Sequence, residues 1–228
     1  PTHTEAGYTT YTCTVCGDSY TEAGEAALGH DHLTYSFDWT NYTHKFTCTE
    51  CGESFTEECT DGIDFGIWTS APVLSDSIAV QFSVGVPAGF EIVYVVFQLN
   101  GEETVVNDYV IGEAWGSPVS IFTFPGLNPQ KLGDNICTTV YATYQGMEVS
   151  VCQPNYNLRD DYCLVMLPQV EPAVKTLISD LMVYAEKSQI YQNYRTDALV
   201  TEGVEGLTPS TFAPLGAESD KWKFVGTY

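Results

Sequence analysis

Apolar and polar residues alternate with a period of two through the middle of the chain. Five runs rich in Val, Ile, Phe, Tyr and Thr are bounded by Gly, Pro and Asn: residues 67–87, 89–99, 102–112, 117–127 and 134–154. Such runs are typical of strands with one buried face. Gln145-Gly146 lies between two alternating stretches and fits a hairpin turn. The pattern predicts an antiparallel β-sandwich or barrel.

The period lengthens to about 3.6 residues near the C-terminal end. Between residues 170 and 195 the apolar positions predict an amphipathic helix with one buried stripe, made of Val174, Leu177, Ile178, Leu181, Met182, Ala185 and Ile190. Pro172 suits its first turn, and a shorter helix is predicted over 158–167. Both helices are expected to cover a face or edge of the sheet, which makes the fold mainly β with C-terminal helices (α+β).

The first 61 residues are rich in Thr, His and Cys and poor in Leu, Ile and Val. They contain one motif twice, YTCTVCGDSYTE at 11–22 and FTCTECGESFTE at 46–57, with eight of twelve positions identical. A repeat of this kind indicates two copies of one small structural unit. The sequence therefore predicts three parts: a duplicated zinc-binding region over 1–61, a β domain with C-terminal helices over 62–200, and a linker or the start of another module over 201–228.

Each copy of the motif contains the spacing C-x-x-C-G, which is typical of a metal-binding knuckle. A tight turn lets two thiolates converge on one ion, and the glycine lets backbone amides approach the sulfur. The knuckle cysteines are Cys13, Cys16, Cys48 and Cys51, and the other candidate ligands are His3, His30, His32, His44 and Cys59. We expect a structural zinc, because a segment with so few aliphatic residues lacks apolar burial.

The spacing leaves two ligand partitions open. If the repeat is the unit, the first knuckle joins His3 and His30 in one site. The second knuckle then joins Cys59 and either His44 or His32 in another. Alternatively, a single zinc ribbon binds one ion through all four knuckle cysteines, across a loop longer than usual. We favour two sites, because one ribbon leaves Cys59 and the histidines unexplained.

Disulfide bonds or free thiols are the alternative to metal, and they are natural in an exported protein. Against them, adjacent C-x-x-C disulfides are strained, and no thioredoxin-like context surrounds either pair. Cys137 and Cys152 lie on the two arms of the predicted hairpin, on one face and one diagonal step apart. That placement permits a disulfide without predicting one, and Cys163 is a third candidate as partner to either.

Charge and motifs exclude several functional classes. The chain has 30 Asp and Glu against 8 Lys and Arg, a formal charge of −22 that repels phosphate backbones. A nucleic-acid partner is therefore not expected. No apolar run of 18 residues is present, so no insertion into a membrane is expected. Because nucleophile elbows, P-loops, dinucleotide fingerprints and H-E-x-x-H are missing from the sequence, we predict no catalytic residues and no enzyme.

Two stretches resemble a known family. THTEAGYTTYTCTVCGDSYTEAGEAALGH (2–30) resembles the tandem C-x-x-C repeats of large secreted surface proteins of gut Firmicutes. LGDNICTTVYATYQG (132–146) and VKTLISDLMVYAEKSQIYQNYRTDAL (174–199) resemble the β-plus-helix module that those proteins often carry. His3 stands where the repeat usually has Cys, which supports it as a ligand and changes the expected composition of the site.

The resemblance implies an extracellular or cell-surface location and a monomeric module of a longer chain. It transfers no catalytic residue. Some surface proteins of these bacteria bind host immunoglobulin in superantigen fashion, so the resemblance implies a host-protein partner, with immunoglobulin as the first candidate. Aromatic residues that could anchor such an interface are Trp68, Tyr94, Tyr109 and Trp115. The alternative is a structural spacer or a carbohydrate- or mucin-binding module.

Overall fold

A computed structural model of the chain describes residues 5–27, 29–74, 77–159 and 170–210. These residues form thirteen β-strands and one long α-helix, α1, at Pro172–Tyr191. In chain order, β1 to β13 are Tyr8–Thr12, Ser19–Ala23, His32–Asp38, Thr43–Cys48, Ser54–Glu58, Gly66–Leu74, Ile78–Gly85, Phe90–Leu99, Glu102–Val106, Val110–Ala114, Ser117–Phe124, Ile136–Tyr144 and Met147–Tyr156. The predicted α+β class, mainly β, is confirmed.

The described residues group into two compact units. The first takes in those of Pro1–Gly126 and Asn135–Asn155, and the second those of Leu127–Asp134 and Tyr156–Tyr228. The three-part division expected from composition stays a prediction. None of the described helices is both long enough and apolar enough to span a bilayer.

The first unit contains three sheets. β1 and β2 form a two-stranded sheet, a second has the order β10-β11-β7-β6, and the third has the order β5-β4-β3-β13-β12-β8-β9. Most strand pairs among the described residues are antiparallel, as expected, but β13 runs parallel to β3, with Glu148 beside His32 and Ser150 beside Thr34. The alternating pattern predicts strands but not this pairing, because β3 and β13 are far apart in sequence.

Phenylalanine side chains join the four-stranded and seven-stranded sheets. Phe82 of β7 and Phe124 of β11 lie against Phe97 of β8, with ring centroids 5.0 and 5.4 Å apart. All three are buried, and the burial along β7 and β12 follows the alternation of the sequence. The predicted sandwich core is therefore present in the first unit.

A second aromatic cluster surrounds the second knuckle hairpin, since β3, β4 and β5 extend the seven-stranded sheet. Phe46 is 0% exposed and lies 5.0, 5.1 and 6.0 Å, centroid to centroid, from Phe55, Tyr144 and Phe90. We expected the first 61 residues to lack apolar burial. Aromatic rings supply part of the apolar burial that the few Leu, Ile and Val residues do not provide, because each ring buries a large area.

Three hairpins turn through two residues that both have positive φ: Asn100-Gly101, Trp115-Gly116 and Gln145-Gly146. This geometry matches the right-handed twist of the flanking strands. The turn predicted at Gln145-Gly146 is confirmed. Trp115 has φ 51, a left-handed conformation that costs a bulky residue about 1 kcal/mol relative to Gly or Asn.

In the second unit, α1 begins at Pro172 and ends within the predicted range. Only part of the predicted stripe is buried, namely Ile178, Leu181, Met182 and Ala185. Val174, Leu177 and Ile190 are 41%, 47% and 49% exposed, so the buried stripe is narrower than the pattern indicates. Most of the shorter helix predicted over 158–167, and Cys163 with it, lies outside the described residues.

Polar contacts hold the residues that follow α1 within the second unit. Arg195 Nη1 and Tyr194 Oη donate to the two carboxylate oxygens of buried Asp134, at 2.6 and 2.5 Å. Val200 is 2% exposed, and its backbone N–H donates to Gln189 Oε1 of α1 at 2.9 Å. Thr201, the first residue of the expected linker over 201–228, donates to Glu186 of α1. The described start of that linker is therefore packed against the helix.

Candidate metal centres

The two copies of the repeated motif fold into the same turn. In the first copy the Cys13 N–H donates to Asp18 O at 2.7 Å and the Gly17 N–H donates to Cys13 O at 2.9 Å. The equivalent bonds of the second copy measure 2.8 and 3.0 Å. Gly17 and Gly52 have φ 78 and 77, a conformation that glycine adopts without strain. The glycine of C-x-x-C-G is therefore required by the turn.

Each knuckle closes a hairpin with the same cross-strand pairs. They are Tyr11–Tyr20 and Thr12–Ser19 in the first hairpin, and Phe46–Phe55 and Thr47–Ser54 in the second. The stacked rings are 5.1 and 5.0 Å apart and the hydroxyl oxygens 2.9 and 2.8 Å apart. The matching residues of the two copies thus give both hairpins the same geometry, with two cysteines at the tip.

The second knuckle lies beside His30. The ligand atoms of His30, Cys48 and Cys51 are all within 4.8 Å of one another. His30 Nδ1 is 3.8 Å from Cys51 Sγ, while its Nε2 is 3.6 Å from Glu53 Oε2. Because β3 pairs with β4 so that Leu33 lies opposite Cys48, the chain just before β3 brings His30 to the end of β4.

The local electrostatics favour a thiolate at Cys48. The backbone N–H of Cys51, with a smaller contribution from His30, lowers the pKa of Cys48 to about 6. At Cys51 the backbone N–H of Glu53 opposes burial and the neighbouring Cys48, and the net effect raises the pKa. A divalent cation bound here would hold both sulfurs as thiolates and displace the protons that they carry.

This donor set fits zinc. Two thiolates and one imidazole are the ligands of structural zinc sites. If His30 binds through Nδ1, its Nε2–H faces Glu53, which is the arrangement in which a carboxylate orients a histidine ligand. Among the described residues no fourth His, Cys, Asp or Glu joins the group. Because structural zinc sites are four-coordinate, a zinc ion bound here would need a fourth ligand from outside these three residues.

The first knuckle has no third ligand among the described residues. Cys13 and Cys16 are exposed, and Cys16 Sγ donates to Asp18 Oδ2 at 3.4 Å. The backbone N–H of Cys16 is the largest cause that lowers the pKa of Cys13 to about 7. His3 lies outside the described residues, and His30 lies with the second knuckle. The expected grouping of His30 with Cys13 and Cys16 therefore differs from the one that the structure shows.

Cys59 groups with His44 and Asp61 instead of with the second knuckle. The ligand atoms of these three residues also lie within 4.8 Å of one another. Asp61 Oδ1 accepts the Ile63 N–H at 3.0 Å, and Asp61 Oδ2 accepts the Ala88 N–H at 2.6 Å. The carboxylate thus closes the turn after β5 with Oδ1 and ties that turn to the β7–β8 loop with Oδ2.

The other two members of this second group are satisfied without an ion. His44 is 7% exposed, its Nδ1 is 2.9 Å from Tyr35 Oη, and burial lowers its pKa. Burial raises the pKa of Cys59, whose Sγ donates to Asp61 Oδ1 at 3.5 Å. The imidazole, the thiol and the carboxylate of this group thus all have hydrogen-bond partners within the protein. A metal ion is not needed to satisfy them, so the His30 group is the better candidate metal centre.

His32 belongs to neither group, since its Nδ1 is 3.1 Å from Glu148 Oε1 across the parallel β3–β13 pair. The sequence reasoning missed two residues, Asp61, which belongs to the second group, and Glu53, which lies 3.6 Å from His30 Nε2 beside the first. Glu53 could have been found from its place in the repeat, because Asp18 holds the same position in the first copy. Asp61 gives no comparable signal.

Exposed apolar residues lie on β10, an edge strand of the four-stranded sheet. Val110, Ile111 and Trp115 are 61%, 70% and 77% exposed. Trp115 follows the strand and stacks on Trp68, with centroids 5.7 Å apart. A cavity of about 500 Å³ adjoins the strand, lined by Val86, Phe90, Glu91, Ile92, Tyr109, Ile111, Pro118, Val119 and Ser120.

The four aromatic residues proposed as anchors differ in exposure. Trp115 and Tyr109 are exposed, the latter by 46%, whereas Trp68 and Tyr94 are half-buried. Trp68 Nε1 donates to Asp64 O at 3.3 Å, and Tyr94 stacks on Tyr141 of β12 at 4.6 Å. Trp115 and Tyr109 are therefore the two able to anchor a partner directly.

Compared with known proteins, the chain matches no protein-family model, no curated protein and no solved structure.

Proposed function

We propose that the chain is a non-catalytic binding module, displayed outside a bacterial cell, that holds a host protein at β10. The module uses a structural zinc ion, bound by His30, Cys48 and Cys51, to fix the second knuckle hairpin. Immunoglobulin is the first candidate partner. The extracellular setting and this choice of partner rest on the resemblance to surface proteins of gut Firmicutes.

The conformation and exposure of Trp115 carry the proposal. This tryptophan has φ 51 in a turn where Asn-Gly is the favoured pair, and it is 77% exposed. Strained backbone at an exposed residue is a feature of functional sites. Tryptophan is also enriched among the residues that dominate interface energies. The stack on Trp68 leaves most of the Trp115 side chain in solvent, and a partner surface would cover it.

The edge strand offers a way for a partner to dock. A host protein could add an extended segment to the free side of β10 through backbone hydrogen bonds, with Val110 and Ile111 as apolar contacts. The cavity lined by Tyr109 and Ile111 would receive one side chain of that segment. Because the chain has a formal charge of −22, a partner with basic residues around its apolar segment would associate fastest.

The test measures binding of serum immunoglobulin G to the immobilised chain and to two turn variants. Trp115→Asn keeps a favoured turn residue, so we expect it to fold normally and to weaken binding by about 30-fold, the loss typical of an interface hot spot. Gln145→Asn places asparagine at the equivalent position of the β12–β13 turn and is the control. It should bind like the parent chain. No retention of immunoglobulin, or an equal loss in both variants, would contradict the proposal.

A carbohydrate ligand is the second candidate, because the β3–β4 turn carries its own exposed rings. Trp39 and Tyr42 are 62% and 54% exposed, and both pack edge-on against Phe37 at 4.7 and 5.9 Å. Asp38 fixes this turn by accepting the N–H groups of Thr40 and Asn41 at 2.9 and 3.1 Å. Retention on mucin that Trp39→Ala abolishes and Trp115→Asn leaves unchanged would favour this function.

A further inference from the structure

Two cysteines outside both candidate metal groups lie next to each other on neighbouring strands. Cys137 of β12 and Cys152 of β13 have their Sγ atoms 3.7 Å apart, although 15 residues separate them in sequence. Thr138 and Val151, the adjacent residues on the same two strands, are buried. Since side chains alternate across a strand, both sulfurs lie on the outer face of the seven-stranded sheet.

We propose that Cys137 and Cys152 are an oxidation site, and that they form an intramolecular disulfide when the chain meets a small-molecule or protein disulfide outside the cell. The two sulfurs must approach from 3.7 Å to about 2.0 Å, which takes rotation of both side chains and a small shift of the strands, because the cysteines are one diagonal step apart. Such disulfides persist in oxidising compartments.

The reaction is a thiol–disulfide exchange in two steps. The Cys152 thiolate attacks one sulfur of an oxidised glutathione molecule, which forms a mixed disulfide and releases one glutathione thiol. The Cys137 sulfur, having lost its proton, then attacks the Cys152 sulfur and releases the second glutathione thiol. Two protein thiols are oxidised to one disulfide, and one glutathione disulfide is reduced to two thiols that take up the two protons.

The surroundings of the two sulfurs set the order of attack. Cys152 is exposed, so an oxidant reaches it first, whereas Cys137 is half-buried. Burial, followed by the neighbouring Cys152, raises the pKa of Cys137. Cys152 is therefore the attacking thiol and Cys137 the resolving thiol.

The disulfide would fix the strand that connects two parts of the seven-stranded sheet. β13 is the neighbour of β3, and the parallel register between the two strands runs from Glu148 to Ser150. In the sheet, β13 has β3, β4 and β5 on one side and β12, β8 and β9 on the other. A disulfide between β13 and β12 would therefore link the two parts of the sheet covalently. Closing a loop of this length should raise the Tm by about 6–12 °C.

The remaining described cysteines have other contacts. The sulfurs of Cys48 and Cys51 lie with His30, and the sulfur of Cys59 is 3.5 Å from Asp61 Oδ1 and 3.6 Å from Ile63 O. Cys13 and Cys16 lie at the tip of the first knuckle. Both are exposed and the pKa of Cys13 is lowered to about 7, so an oxidant can react there too, and the test maps the Cys137–Cys152 link by itself.

The experiment exposes the intact chain to oxidised glutathione, blocks free thiols and digests with trypsin. Cleavage after Lys131 and Arg159 yields one peptide that contains both cysteines, two hydrogens lighter when the disulfide is present. A second digestion after Glu148, the only glutamate in that peptide, leaves two halves that separate only on reduction. This linked pair is the expected product. Free thiols at both positions, or a link from either cysteine to Cys163, would overturn the proposal.

Single variants test the order of attack. Cys137→Ser leaves the attacking thiol without a resolving partner, so it should accumulate a stable glutathione adduct at Cys152. Cys152→Ser should gain little adduct at Cys137 over the same time. Cys59→Ser is the matched control and should still give the linked halves and the higher Tm. An adduct forming equally in both variants of the pair, or a Tm unchanged by oxidation, would count against it.

Discussion

The repeat provides one position in two environments, which makes a sharp test of how the second hairpin is stabilised. Phe46 and Tyr11 occupy the same place in the two copies, but Phe46 is 0% exposed and Tyr11 is 45% exposed. We predict that Phe46→Ala strongly destabilises the first unit and that Tyr11→Ala does not. The second variant is therefore the control for the first.

The magnitudes follow from the contacts of each ring. Truncating a fully buried phenylalanine costs about 3–5 kcal/mol. Phe46 also lies within 6.0 Å of four other rings, those of Tyr35, Phe55, Phe90 and Tyr144, so we expect about 4 kcal/mol. Tyr11 has one stacked partner, Tyr20, and stays half in solvent, so its truncation should cost about 1 kcal/mol.

The assay is urea unfolding followed by tryptophan fluorescence. Three of the four tryptophans, Trp39, Trp68 and Trp115, lie in the first unit, so most of the emission reports the unfolding of the sheets there. With a denaturant slope of about 2 kcal/mol per M, the midpoint should fall by about 2 M in Phe46→Ala and by about 0.5 M in Tyr11→Ala. Equal shifts in the two variants would refute the claim that aromatic burial stabilises the second copy.

Two further predictions concern the histidine groups. Emission spectrometry on protein purified without chelators should find about one zinc per chain, and Glu53→Gln should weaken zinc binding about 10- to 100-fold in a competition with a chromogenic chelator, because the carboxylate orients His30. Asp18→Asn, at the same position of the first copy, should leave that affinity unchanged; a zinc-free chain or an equal loss in both would contradict the assignment. Burial lowers the pKa of His44, so the unfolded chain takes up a proton there before the folded chain does. The free energy of unfolding should therefore fall as the pH drops below about 6.5, the unfolded pKa of histidine, and His44→Gln should show a shallower fall between about pH 7 and about pH 5. Parallel curves for the two proteins would show that His44 contributes nothing to the slope.

Local patterns predicted the strands because burial alternates along them. β7 and β12 show this alternation directly, and the Gln145-Gly146 turn followed from the residues that tolerate positive φ. The order of the strands could not be predicted in the same way. His32 and Glu148 meet although they are 116 residues apart, and no local pattern specifies such a contact.

In the candidate site, too, the local structure was predictable from the sequence and the long-range contacts were not. The knuckle turn was predictable, because C-x-x-C-G needs a positive φ at the glycine and the fold supplies it at Gly52. The histidine that joins Cys48 and Cys51 was not predictable from spacing. His30 reaches them through the β3–β4 register, which sets Leu33 opposite Cys48. Cys59 was grouped with the second knuckle and either His44 or His32, and the turn held by Asp61 places it beside His44 but apart from the knuckle.

Two of the four positions that differ between the copies of the hairpin exchange tyrosine for phenylalanine. Tyr11 and Tyr20 in the solvent-exposed copy become Phe46 and Phe55 where the sheet covers them, while the turn and the ring stacking stay the same. A fold whose shape is independent of its neighbours can be duplicated first and fitted to its surroundings afterwards. In a longer array of such repeats, the choice between tyrosine and phenylalanine would record which copies stand alone and which have been absorbed into a larger domain.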